Sequence, residues 1–167
     1  NSFFKSFQCK LQCIEGKLES YTNLKELIDG AFREFGDRTA VRILRPSDQS
    51  GERGLKYVPM TFKQLGDQRD RLATGLHGLG LKKGDRVAIL TDGGLEPILI
   101  FLACDSLGLS AVPLCNKVPD DILIHNLKLS TPKLLFTDPK SFDQVARVSP
   151  QLYSPPQVVI TEGQADG

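Results

Sequence analysis

A regular alternation of helical and strand patterns between Met60 and Leu114 constrains the fold of this chain more than any other feature. The predicted elements are a helix over 61–79, a strand over 86–91, a helix over 96–107 and a strand over 111–115. The first helix begins with a Thr61–Gln64 capping box, and Gly80 ends it. The centre of the first strand, VAIL, is continuously apolar, as expected when both faces of a sheet are covered.

The alternation continues to the end of the chain. The later predicted elements are a helix over 120–129, a strand over 133–137, a helix over 141–148 and a strand over 157–161. Strands that alternate with helices form right-handed crossovers and therefore parallel sheets. The sequence thus predicts an α/β fold: a parallel, doubly wound sheet of about four strands with helices on both faces.

A helix and a hairpin precede this region. Apolar residues at helical spacing predict a helix over 24–35, with an Asn23–Glu26 cap before it and Gly36 in a left-handed conformation after it. Strands over 39–44 and 55–59 flank a polar loop. The predicted organisation is an arm over 1–20, a helix and hairpin over 21–60, the βα-alternating subdomain over 61–162 and a polar tail over 163–167.

Composition and charge exclude several classes of function. The net charge of +1 and the scattered basic residues give no basis for nucleic-acid binding. The longest apolar run, Pro97–Cys104, is shorter than the about 18–20 residues of a membrane span. Residues 1–13 have no long apolar region typical of a signal peptide, so we expect a cytoplasmic protein.

The four cysteines do not form a metal motif. Cys9 and Cys13 have no second pair, and the two histidines lie far away in the sequence. Cys104 and Cys115 fall inside predicted core elements, where a free cysteine acts as a small hydrophobic residue. We expect reduced thiols and no zinc site.

Polar residues end each predicted strand, at the edge where ligands bind in open α/β sheets. Gly93-Gly94 could present backbone N–H groups to an anion, although a tight turn needs the same residues. Asp92 and Asp138 could serve as a phosphoacceptor or magnesium site, but the acidic cluster that such a site needs is missing. Neither histidine, His77 or His125, lies in a motif with a nucleophile. The residues themselves therefore indicate no catalytic, cofactor-binding or metal-binding site.

Four segments resemble the acyl-adenylate-forming (AMP-binding) enzymes, most closely the long-chain fatty acyl-CoA synthetases. They are MTFKQL (60–65), RLATGLHGLGLKKGDRVAIL (71–90), FLACDSLGLSAVPL (101–114) and LKLSTPKLLFTD (127–138). Their order and spacing match the N-terminal part of that family. The charged hairpin before Lys56 resembles that of long-chain fatty acyl-CoA synthetases, and this resemblance implies a fatty acid as the substrate.

The resemblance implies a function for a longer protein. Such enzymes use ATP, Mg²⁺ and coenzyme A to turn a carboxylate into an acyl-adenylate and then a thioester. Residues 1–167 contain neither the Lys-containing phosphate loop nor the catalytic lysine of this family, so no site residue is carried over. We expect an inactive N-terminal piece, with the rest of its own polypeptide and a carboxylate as partners and with a tendency to self-associate. Two alternatives remain: part of a peptide-synthetase adenylation domain, or a stand-alone α/β binding module without catalysis.

Overall fold

A helix, a hairpin and then a four-stranded sheet with flanking helices follow one another along the chain. The computed structural model describes residues 21–46 and 55–161; the predicted arm, the polar tail, Cys9 and Cys13 lie outside them. The elements are α1 (Leu24–Glu34), β1 (Thr39–Pro46), β2 (Leu55–Thr61), α2 (Phe62–Gly78), β3 (Arg86–Leu90), α3 (Glu96–Leu107), β4 (Ser110–Pro113), α4 (Asp120–Ser130), β5 (Leu134–Thr137), α5 (Pro139–Val148) and β6 (Gln157–Ile160). Within the described ranges, no helix combines the length and the apolarity needed to cross a membrane.

The main sheet is parallel throughout, with strand order β4-β3-β5-β6. In the middle of the sheet, Ala88 of β3 lies opposite Val112 of β4 on one side and Leu135 of β5 on the other. Strands β1 and β2 form a separate antiparallel hairpin. The predicted α/β fold class is therefore confirmed.

Helices cover both faces of the sheet. On one face, Val87 and Ile89 of β3 pack with α2 and α3, while on the other Ala88 and Leu90 pack with α4 and α5. Because successive side chains of a strand point to opposite faces, the continuously apolar β3 supplies both cores. This arrangement is the doubly wound sheet that the VAIL run predicts.

The capping box of α2 forms as predicted. The Thr61 hydroxyl accepts a hydrogen bond from the Gln64 N–H at 3.2 Å, and the Thr61 N–H donates to Gln64 Oε1 at 2.9 Å. Met60 and Leu65, on either side of the cap, are both buried. Gly80, with φ of 78°, follows the helix in the left-handed region.

Local predictions failed at several positions. Leu24, predicted to lie in the buried stripe of α1, is exposed. Gly36 is not among the glycines with positive φ. Helix α1 ends without a left-handed residue, because its last bond runs from the Phe35 N–H to the Ala31 carbonyl. Leu79 is exposed, since it lies after the last residue of α2. Cys115 is exposed rather than in the core, because β4 ends at Pro113.

Replacing Thr61 by Ala is expected to lower the free energy of unfolding by about 1 kcal/mol, because a Ser or Thr cap satisfies an otherwise unpaired helix N–H. Urea unfolding measures the change. Thr74→Ala is the matched control: the Thr74 hydroxyl bonds back to the Asp70 carbonyl within α2, and its loss should leave stability unchanged or slightly raised. Equal destabilisation by both substitutions would contradict the role of the cap.

Two glycines of α2 give a second matched pair. A Cβ on Gly75 would meet no atom within 4 Å, so Gly75→Ala is expected to stabilise the chain by about 1 kcal/mol through helix propensity. A Cβ on Gly66 would lie 3.1 Å from Cδ2 of the Phe32 ring of α1. Gly66→Ala should therefore be less stable than Gly75→Ala by about 1–3 kcal/mol, the usual cost of overpacking. Identical thermal unfolding midpoints would show that α1 does not pack on Gly66.

Candidate functional site

The carboxyl edge of the sheet brings together the polar residues that end β3, β4 and β5. In open α/β sheets, ligands bind outside these strand ends. The edge contains Asp92 after β3, Asn116 after β4 and Asp138 after β5. Glu162, predicted to follow the last strand, lies outside the described residues.

Asp138 joins two of these loops. Its Oδ1 accepts a hydrogen bond from the Ser141 N–H at 2.8 Å and so caps α5, while its Oδ2 accepts one from the Asp92 N–H at 2.6 Å. Partial burial acts to raise the pKa of Asp138, but the N–H donors of Ser141 and Asp92 outweigh it and hold the pKa below its ordinary value. Both carboxylate oxygens therefore hold the backbone in place.

Asp92 extends the link to the third loop. Its Oδ1 accepts a hydrogen bond from the Asn116 side-chain amide at 3.3 Å and lies 3.9 Å from the Lys117 ammonium. The sequence placed these residues at one edge, but the bonds between them were not predicted. No group of three His, Cys, Asp or Glu side chains suited to a metal occurs in the described part of the chain. The bonds of Asp92 and Asp138 therefore give both residues a structural role at this edge.

The glycine pair after β3 forms a tight turn. Gly93 and Gly94 both have φ of 99°, a region that favours glycine. The Glu96 carboxylate lies close to Gly94, with Oε2 only 2.6 Å from the position that a Cβ would occupy. A carboxylate at this position repels an anion, so the geometry supports the turn interpretation and not a phosphate site.

The two histidines and the buried cysteine in the described part of the chain form no catalytic pair. His77 and His125 are exposed on α2 and α4, which cover opposite faces of the sheet. Burial raises the pKa of the Cys104 thiol to about 12, which keeps it neutral and unreactive. Among the residues described, the site therefore offers no assembled catalytic group.

A partly buried ion pair was missed by the sequence analysis. Arg69 of α2 is only 8% exposed; its guanidinium binds Asp29 of α1 and Asp70, and stacks 4.8 Å over the Phe32 ring. Burial opposes ionisation of Asp29, but hydrogen bonds from Lys25 and Arg69 outweigh it and lower its pKa. The sequence did contain a signal for this ion pair. Arg69 is a charged residue on the apolar face of α2, one helical turn after Leu65.

Comparison with known proteins identifies the family. The family model described as AMP-binding enzyme matches residues 29–166. This chain belongs to the AMP-binding enzyme family. The match includes all four segments on which the resemblance was based, so the resemblance is confirmed.

Individual members of the AMP-binding family show partial similarity. The mitochondrial medium-chain acyl-CoA ligase ACSF2 of Mus musculus is 30% identical over 105 residues, which cover 61% of this chain and 15% of that protein. The nonribosomal peptide synthetase sidC of Arthroderma benhamiae is 25% identical over 146 residues, 86% of this chain and 3% of that protein.

A similar solved structure is that of a candidate long-chain-fatty-acid CoA ligase from Rhodopseudomonas palustris. It matches with a TM-score of 0.71 and 26% identity over 84% of this chain and 33% of that one. The chain thus spans a third or less of the length of each of these AMP-binding relatives.

Asp138→Ala is expected to lower the free energy of unfolding by about 1–2 kcal/mol at pH 7, through loss of the cap on α5 and of the bond to Asp92. The free energy of unfolding of Asp138→Asn should lie between those of the wild type and Asp138→Ala. One oxygen of the amide can still cap α5, but the other acceptor is replaced by a donor. Urea unfolding of the three proteins measures both effects.

The difference in stability between the wild type and Asp138→Asn should depend on pH, because the pKa of Asp138 is lowered in the folded protein. A carboxyl with a lowered folded pKa stabilises the fold above its unfolded pKa, near 4, and loses this effect as the pH falls through the folded pKa. The stability advantage of the wild type over Asp138→Asn should therefore shrink below about pH 4. A constant difference from pH 7 to pH 3 would contradict the proposed bonding of the charged carboxylate.

Proposed function

We propose that this chain forms the N-terminal subdomain of an ATP-dependent carboxylate–CoA ligase. The family match over residues 29–166 carries the proposal. The names of the ACSF2 relative and of the Rhodopseudomonas palustris neighbour support acyl-CoA ligation rather than another use of an adenylate. In the proposed reaction, the ligase activates a carboxylate as an acyl-adenylate and transfers the acyl group to the thiol of coenzyme A.

The carboxyl edge of the described sheet is poorly suited to the phosphates of ATP. Binding these phosphates needs backbone N–H donors and cations at one place. At the carboxyl edge, by contrast, Asp92, Asp138 and Glu96 present carboxylates, and the N–H groups of Asp92 and Ser141 already bind Asp138. We therefore assign no step of the reaction to this chain and propose that ATP, Mg²⁺ and coenzyme A bind mainly to residues outside it.

The subdomain would contribute a rigid edge to the complete enzyme. Asn116, Asp92 and Asp138 connect three neighbouring loops across the strand ends. Fixed loops at this edge could support a substrate bound against residues of the remaining protein, since positioning accounts for much of enzymatic rate enhancement.

A fatty acid is the proposed carboxylate substrate. The fatty-acid wording in the name of the structural neighbour and the charged hairpin before Lys56 both support this choice. An adenylation domain of a peptide synthetase is the second candidate, because the sidC match extends over 86% of this chain. Substrate panels separate the two, since the first uses fatty acids and the second uses amino acids.

Purified residues 1–167 are expected to catalyse no carboxylate-dependent exchange between ATP and pyrophosphate, because they lack a phosphate loop and the catalytic lysine. The longer product of a reading frame that continues past Gly167 should catalyse exchange with fatty acids and form acyl-CoA once coenzyme A is added. Exchange dependent on amino acids would favour the peptide-synthetase alternative. Turnover by residues 1–167 above a mock preparation would refute the proposed division of function.

A further inference from the structure

Three Ser/Thr-Pro dipeptides occur in this sequence: Thr131-Pro132, Ser149-Pro150 and Ser154-Pro155. A serine or threonine followed by proline is the short sequence that proline-directed protein kinases phosphorylate. Such a kinase has to hold the acceptor residue in an extended conformation, with its hydroxyl free to reach the γ-phosphate of ATP. The environment of each hydroxyl group therefore decides which of the three can serve as an acceptor.

Two of these hydroxyl groups are already used inside the fold. The Ser149 hydroxyl lies in a short 3-10 helix (Ser149–Gln151) and donates a hydrogen bond to the Val145 carbonyl at 2.7 Å. Thr131 ends α4 in the left-handed conformation, with φ of 41°, and its hydroxyl accepts a hydrogen bond from the Arg86 guanidinium. Neither residue can enter the extended substrate site of a kinase unless the surrounding structure opens.

Ser154 has the opposite environment. It is exposed between α5 and β6, outside any helix or strand, and its hydroxyl forms no hydrogen bond with the described residues. Because Ser154 and Pro155 each precede a proline, both are restricted to extended or polyproline conformations. The local chain therefore already has the shape that a kinase binds, and little conformational freedom is lost on binding.

Both ends of this loop are fixed to the fold. Leu152 packs against the core between the sheet and helices α4 and α5, and Pro156 is buried. Between these two anchors, the Tyr153 side chain is 100% exposed and Ser154 is exposed as well. The loop thus presents Ser154 to solvent without any unfolding of its neighbours.

A lysine lies beside the loop. The Lys128 ammonium of α4 is 5.7 Å from the centre of the Tyr153 ring, and Lys128 and Ser154 line the same cavity at the end of α4. Lys128 forms no ion pair with a carboxylate of the described residues. A phosphate on Ser154 would add a charge of about −1.5 to −2. The negative end of the α4 dipole repels such a charge, so the Lys128 ammonium is the group that stabilises it.

We propose that Ser154 is the phosphoacceptor of a proline-directed serine/threonine kinase and that Lys128 is the cation that pairs with the phosphate. This inference does not depend on the proposed function. In the reaction, Ser154 Oγ forms a bond to the γ-phosphorus of ATP, while the bond from that phosphorus to the β,γ-bridging oxygen breaks. The hydroxyl proton passes to a carboxylate base of the kinase, and ADP leaves.

Phosphorylation of the full polypeptide, whether or not it continues past Gly167, tests the acceptor. The folded protein is incubated with MgATP and a mitogen-activated protein kinase, which is proline-directed, and phosphate at each site is quantified by peptide mass spectrometry. Ser149 and Thr131 are the matched controls, because they share the dipeptide but not the environment. We expect Ser154 to be phosphorylated at least about tenfold faster than either control, since the controls require local opening.

Ser154→Ala should remove most of the incorporated phosphate, whereas Ser149→Ala should leave it unchanged. Three synthetic peptides, each centred on one dipeptide, show what the sequence alone contributes, and the advantage of Ser154 should shrink among them. Absence of phosphate at Ser154 in the folded protein, or equal rates at the three sites, would overturn the proposal. An advantage as large among the peptides as in the fold would overturn the argument from structure.

Lys128→Met tests the partner of the phosphate. Phosphorus NMR follows the second ionisation of phosphoserine, whose ordinary pKa is about 6. A nearby ammonium favours the doubly charged form, so this pKa should be lower in the phosphorylated wild type than in phosphorylated Lys128→Met. Lys140→Met is the control, because Lys140 is an exposed lysine at the start of α5, at the other edge of the sheet. The same pKa in the wild type and in Lys128→Met would overturn the pairing.

Discussion

The coverage of both faces of β3 and β5 is the constraint on which this structure depends. These two short strands lie in the middle of the sheet, and their side chains supply the cores on both sides. Each strand can be buried in this way only if helices cover both faces, which requires the crossovers that produce a parallel sheet. The same geometry gathers the strand ends at one edge, where Asn116, Asp92 and Asp138 meet.

Local patterns in the sequence predicted the fold closely. The period of the apolar residues identified every described α-helix and strand to within about three residues, because burial on one side of a helix or on both sides of a strand leaves a pattern in a single segment. The α2 capping box was predicted for the same reason, since both of its partners lie three residues apart.

Interactions between distant segments were not predicted. Asp138 binds the backbone of Asp92, 46 residues away, and Arg69 binds Asp29, 40 residues away. Neither partner can be identified from periodicity, which describes only neighbours along the chain. The sequence also placed Asp92 and Asp138 at the correct edge without indicating that Asp138 already uses both of its oxygens. Fold class depends on local pattern, whereas the chemistry of the edge depends on these long-range contacts.

The strand order has a consequence for synthesis on the ribosome. Strand β3 is made before both of its neighbours, and β5, which closes its second edge, is completed only at Thr137. Until then the nascent chain can pair β3 with β4 alone, so this apolar central strand keeps one open edge while more than forty further residues are translated. Open apolar edges are templates for wrong pairing between chains. The yield of folded protein therefore depends on how fast the residues between β3 and β5 are translated. It also depends on whether chaperones shield the open edge of β3.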